Sequence, residues 1–105
     1  MRPIHFKKGV MNRTEAQYES FLEGLKMQGA VVDYRFEAVK LRLADKTFYT
    51  PDFLVVHDDR FEFHEVKGFW REDARIKTKV AAATYPWFKF IAVTRKNKQW
   101  SFEYF

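Results

Sequence analysis

The sequence predicts one α/β domain, with a mixed central sheet flanked by helices and an α-β-β-β-α-β core. Three observations carry that expectation. At 105 residues the chain suits one domain with one core, residues 1–105 throughout. Two stretches repeat apolar residues at helical spacing, and the segments between and after them alternate as strands do. No internal repeat, low-complexity segment or linker divides the chain.

Apolar residues make up 47%, and twenty are aromatic (twelve Phe, five Tyr, three Trp), which is ample for a packed core and argues against disorder. The net charge of +5 fits a nucleic-acid or other anionic partner. There is no cysteine, so disulfides, thiolate metal sites and cysteine nucleophiles are excluded, and a reducing cytosol is accommodated. No apolar run approaches the ~18 residues of a membrane span. The basic N-terminus lacks the apolar stretch of a signal peptide, so the expectation is a cytoplasmic protein with no membrane partner.

In order, residues 1–11 read as an irregular basic arm carrying Arg2, His5, Lys7 and Lys8 around Pro3 and Gly9. Thr14 reads as a helix N-cap with Gln17 as its capping-box partner. Tyr18, Phe21, Leu22 and Leu25 form the apolar stripe of a helix over about 14–28, ended by Gly29. Val32, Tyr34, Phe36 and Ala38 then alternate as a strand. The phase slips to Val39, Leu41 and Leu43, which predicts a bulge or break near Ala38–Val39. After a turn at Ala44-Asp45-Lys46, a second strand is expected from Thr47 to Val56. Pro51 inside it implies an edge, a bulge or a strand start. His57-Asp58-Asp59-Arg60 is a polar turn, and 61–67 is the third strand. Glu72-Asp73 opens a second helix whose apolar stripe is expected to be Ile76, Val80 and Ala83, stopped by Pro86. A fourth strand runs from Trp87 to Thr94, Arg95-Lys96-Asn97-Lys98 is a basic turn, and Trp100, Phe102 and Tyr104 alternate in a last short strand.

Asp52, Glu65 and Lys67 are charges set inside runs that otherwise read as buried strand. Burying an unpaired charge costs several kcal/mol, roughly, so three together point to a site. A hairpin would bring Asp52 and Glu65 together at one end of the sheet. Glu65 and Lys67 would share a face, with Val66 pointing the other way. Two adjacent carboxylates repel unless a cation joins them, and hard oxygen ligands select Mg²⁺ or Mn²⁺. Such an ion can lower the pKa of a water enough to make it a nucleophile. Lys67 could orient that water or offset charge growing on a phosphate. The Val66 carbonyl is a further candidate ligand. A third carboxylate would come from the first helix: Glu15, one turn before Tyr18, with Glu19 (for a shorter helix) and the more solvent-facing Glu23 as alternatives.

Pro51-Asp52, then twelve residues, then Glu65-Val66-Lys67 resembles the PD-(D/E)xK motif of the restriction-endonuclease-like nucleases. Tyr49-Thr50-Pro51-Asp52-Phe53-Leu54, then Glu65-Val66-Lys67-Gly68-Phe69-Trp70, then Asp73 and Lys77, resembles phage endonuclease-I-type Holliday-junction resolvases. A family of small phage nucleases shares this layout. The resemblance covers about residues 14–94. It implies Asp52 and Glu65 as metal ligands, Lys67 as the catalytic lysine and Glu15 as the helix acid. It also implies a phage-type Mg²⁺-dependent endonuclease acting on DNA, branched DNA included, and a homodimer for paired cuts. The resolvases are longer, and the segments that build their intertwined dimer have no evident counterpart here. Around the site, Trp70 is a candidate DNA contact. Arg75, Lys77 and Lys79 are a candidate phosphate track, with Lys77 foremost because the resemblance includes it. His5, His57 and His64 show no metal-ligand spacing, and His64 is expected to be packed or hydrogen-bonded on the face opposite Glu65. The alternative expectation is a DNA-binding module of the same fold without catalysis.

Overall fold

A computed structural model describes residues 9–68 and 72–105. Most of the basic arm (residues 1–8) and Trp70 lie outside the described residues. The element order is α1 (Arg13–Met27), β1 (Asp33–Phe36), β2 (Leu41–Ala44), β3 (Thr47–Tyr49), β4 (Phe53–Val56), β5 (Phe61–Lys67), α2 (Glu72–Thr84), β6 (Lys89–Lys96) and β7 (Gln99–Tyr104). Five strands form a mixed sheet in the order β1-β4-β5-β6-β7, and β2 and β3 form a separate two-stranded sheet. Among the described residues only β5 and β6 pair in parallel, and α2 supplies the crossover that parallel strands require.

The two helices define the two faces. On the α1 face, Tyr18 and Leu22 pack on Phe53, Val55, Val66 and Val93. On the other, Ala81 of α2 and Leu41 and Tyr49 of the small sheet pack on Phe63 and Phe90. Along β5 the alternation sends Glu62, His64 and Val66 toward α1, and Phe63, Glu65 and Lys67 toward α2.

Three expectations are corrected. The N-cap of α1 is Asn12, not Thr14: its side chain accepts the Glu15 N–H at 2.8 Å, and Glu15 Oε1 accepts the Asn12 N–H at 2.9 Å. Asparagine is among the strongest N-caps, and this reciprocal box satisfies two otherwise orphaned donors. The break expected near Ala38–Val39 is present, between β1 and β2. At Glu37 the backbone turns into the left-handed region (φ 50°), and the chain passes from the main sheet to the small one. The expected strand from Thr47 to Val56 is interrupted at Thr50-Pro51-Asp52. Pro51 has no N–H to offer, and the Asp52 N–H goes to the Glu65 side chain at 3.1 Å rather than to a ladder.

The third correction concerns α2. Ile76, Val80 and Ala83 are exposed, while Thr78 and Ala81 are buried. Small residues let the helix lie close to Phe63 and Phe90, and the larger apolar side chains are rotated outward. The last hairpin turns through Asn97 and Lys98, both at positive φ (52° and 62°), which matches the twist of the strands it joins. Among the described residues, no helix is long and apolar enough to cross a membrane.

Candidate functional site

Antiparallel register pairs Phe53 of β4 with His64 of β5, so the next step along both strands sets Asp52 opposite Glu65. The two residues interlock. Glu65 Oε1 accepts the Asp52 backbone N–H at 3.1 Å, and Asp52 Oδ2 accepts the Val66 N–H at 2.8 Å. The break at Pro51 makes this possible, because it leaves the Asp52 amide off the ladder and aimed at a side chain.

Glu65 Oε1 takes a second donor, the Tyr49 hydroxyl, at 2.9 Å. Its other oxygen, Oε2, faces Lys67 Nζ at 3.4 Å. The carboxylate is thus held on one side by β3 and the Asp52 amide, and presented on the other to the lysine. In the sequence, Tyr49 stands out only as part of the Tyr49-Thr50-Pro51-Asp52 stretch. The pairing of Leu41 with Tyr49 turns it inward, and the phase of Leu41 and Leu43 was the one signal of that.

Asp52 and Glu65 are 6% and 8% exposed, and Glu15 is 9% exposed beside them. Burial, the Glu65 charge and the adjacent Glu15 carboxyl together push the Asp52 carboxyl up to about 8, against the Val66 hydrogen bond that favours its ionised form. Burial likewise raises Glu65, opposed by Lys67, Tyr49 and the Asp52 amide. Glu15 is the helix acid that α1 brings to Asp52; Glu19 turns toward β1, beside Lys26 and Tyr34. One oxygen of Glu15 is fixed by the capping box, which anchors the carboxylate where it meets Asp52.

A cleft of about 520 Å³ opens over Glu65 and Lys67, walled by Phe48 and Tyr49 of the small sheet and by Asp73 and Lys77 of α2. Of the three cations expected to form a phosphate track, Lys77 lines this cleft. Arg75 is engaged elsewhere, in a two-pronged pair with Glu103 of β7 at 2.5 and 2.6 Å, and Lys79 also acts on Glu103. His64 points to the α1 face, as expected, where its Nδ1 lies 2.6 Å from the Tyr18 hydroxyl.

The acids offer hard oxygen donors, but they do not converge as a three-sided cage. Among the described residues, no group of three or more His, Asp or Glu side chains is arranged to hold an ion. Mg²⁺ needs less, since one or two carboxylates with waters completing the shell suffice. Asp52 Oδ1 takes no part in the hydrogen bonds above, and Glu65 Oε2 meets only Lys67 Nζ, at 3.4 Å; the mutual repulsion of the two carboxylates is what a divalent cation relieves. The pair therefore fits such an ion. No family model, curated protein or solved structure matches the chain.

Proposed function

We propose that this chain is a metal-dependent endodeoxyribonuclease of the PD-(D/E)xK type, with a restriction-endonuclease-like fold. The reading is carried by the interlocked buried pair Asp52 and Glu65, with Lys67 at 3.4 Å from Glu65 on the wall of an open cleft. Burying two acids side by side is costly for a structural purpose alone and sensible for holding a cation.

Asp52 and Glu65 hold Mg²⁺ or Mn²⁺, with Glu15 assisting from α1 and the Val66 carbonyl nearby. The ion, when bound, supplies Lewis-acid activation of water and of the phosphate. Tyr49 and the Asp52 N–H keep Glu65 oriented, so that Oε2 faces the cleft. Lys67 places a positive charge where the phosphate gains negative charge during attack, an electrostatic contribution of roughly 10²–10³ in rate. Lys77 binds a neighbouring phosphate and holds the strand in register. A homodimer would supply two such sites for two strands.

The test is supercoiled plasmid incubated with the protein in Mg²⁺ and in chelator. Wild type nicks the plasmid only with the metal, and D52A, E65A and K67A lose that activity. Cleavage by D52A in Mg²⁺ rejects the reading. One observation favours the second reading, a DNA-binding module without catalysis: no three acidic or histidine side chains among the described residues are arranged around an ion position. Calorimetry with Mn²⁺ separates the two, because a binder shows the same heat for wild type and E65A.

A further inference from the structure

The β2–β3 hairpin stands off the main sheet and carries two unlike faces. Leu41 and Tyr49 pair across it on the inside, both buried. Arg42 and Phe48 pair on the outside. The inner face packs against the core below α2, and the Tyr85 hydroxyl ties the hairpin down by donating to the Arg42 carbonyl at 2.6 Å. The scaffold under the outer face is therefore fixed.

Phe48 on that outer face is 42% exposed. Lys40 Nζ lies 4.6 Å from its ring centroid, and Arg42 faces it across the strands with only a loose 4.0 Å contact to Asp45. An aromatic ring with Lys40 over it and Arg42 as its cross-strand neighbour thus stands on the rim of the cleft that holds Glu65, Lys67 and Lys77. The core gains little from that ring. An unpaired nucleotide would gain a stacking surface with positive charge close by for its phosphates. Stacked duplex offers only base edges, in its grooves, and cannot use such a plane.

We propose that Phe48, flanked by Lys40 and Arg42, is a stacking platform for an unpaired base beside the phosphate to be cut. The preferred DNA then carries unstacked nucleotides there, in a single strand, a flap or a branch. This rests on the nuclease reading and adds a substrate class to it.

The experiment measures fluorescence anisotropy with labelled oligodeoxynucleotides, in Ca²⁺ rather than Mg²⁺ so that the strands stay intact. A single strand, a duplex with a single-stranded flap and a blunt duplex of the same sequence are compared. Wild type binds the first two more tightly than the third. F48A lowers that preference by about 5- to 100-fold, the range for loss of one base–aromatic stack, and F48W restores it. K40A/R42A keeps the ring but reduces the slope of log affinity against log salt on the single strand by about 1.4, or 0.7 per lost phosphate contact. The proposal is overturned by wild type without a preference, by F48A with the wild-type preference, by F48W failing to restore it, or by an unchanged salt slope. If wild type nicks plasmid in Mg²⁺ but F48A keeps the preference, only the platform falls. If wild type neither binds any of the three nor nicks plasmid, the nuclease reading falls with it.

Discussion

Tyr49 and the Asp52 amide both donate to Glu65 Oε1, at 2.9 and 3.1 Å, and so decide which oxygen the carboxylate presents to the cleft. Groups that orient a ligand from behind typically carry 10–100-fold of metal affinity or activity. Y49F should therefore keep the fold, with a stability cost of about 1 kcal/mol, and lose roughly tenfold or more in Mn²⁺ affinity by calorimetry. A wild-type affinity would show that the Asp52 amide alone holds Glu65. Asp52 itself poses the opposite question. Its folded-state carboxyl, raised from 3.8 to about 8 by burial and the neighbouring Glu65 charge, keeps a proton that the unfolded chain sheds. Stability of the metal-free protein must then decline as pH rises from about 4 to 8. D52N removes the charge but keeps an acceptor for the Val66 N–H. It should raise metal-free stability at pH 7 by at least about 1 kcal/mol in urea melts while abolishing cleavage. A destabilised D52N would mean that the carboxylate is structural.

At the scale of elements, α2 tests how the buried face was chosen. Ile76, Val80 and Ala83 recur at helical spacing and invite reading as the buried stripe, yet Thr78 and Ala81 occupy it. Periodicity finds an apolar face; it does not weigh that face against a strip of small residues that permits closer approach to Phe63 and Phe90. Two substitutions separate these faces. I76K should change stability by no more than about 0.5 kcal/mol, as at other exposed positions. A81L forces extra volume into a close contact and should cost about 1–3 kcal/mol. Equal effects in thermal melts would refute the orientation. The Asp52–Glu65 pairing was legible because antiparallel strands and a period of two leave little freedom, and Pro51 marked the break. The split of the small sheet from the main one was not. Glu37 adopts a left-handed backbone without being glycine, and no residue type announces that. Asn12 with Glu15 and Thr14 with Gln17 are both capping-box patterns, two residues apart, and spacing alone does not rank them.

Over the whole molecule, one buried polar chain ties three parts of the fold together, and no residue spacing in the sequence foretold it. Tyr18 of α1 meets His64 Nδ1 at 2.6 Å, His64 Nε2 meets Glu62 Oε1 at 2.9 Å, and Arg60 in the β4–β5 turn donates to Glu62 Oε2 at 2.7 Å. His57 Nε2 from the same turn stands 3.0 Å from Glu62 Oε1. The network joins α1 to the sheet at Tyr18, one turn after the Glu15 that meets Asp52. Burial alone would raise the Glu62 carboxyl, but the hydrogen bonds from His64 and Arg60, with His57 close by, outweigh it and hold the carboxyl down at about 2. A depressed folded-state carboxyl stabilises the protein fully above its unfolded value of about 4.5, and that contribution is lost as pH falls from 4.5 toward 2. E62Q should therefore cost about 2 kcal/mol or more at pH 7, because it leaves the buried His64 donor and the half-exposed Arg60 guanidinium poorly matched. Urea melts of the two proteins should draw together as pH is lowered through that window. If the chain also sets the position of α1, E62Q will weaken Mn²⁺ binding at neutral pH although Glu62 lies on the face of β5 opposite Glu65. Parallel curves at every pH, with unaltered Mn²⁺ affinity, would reduce the network to ordinary packing.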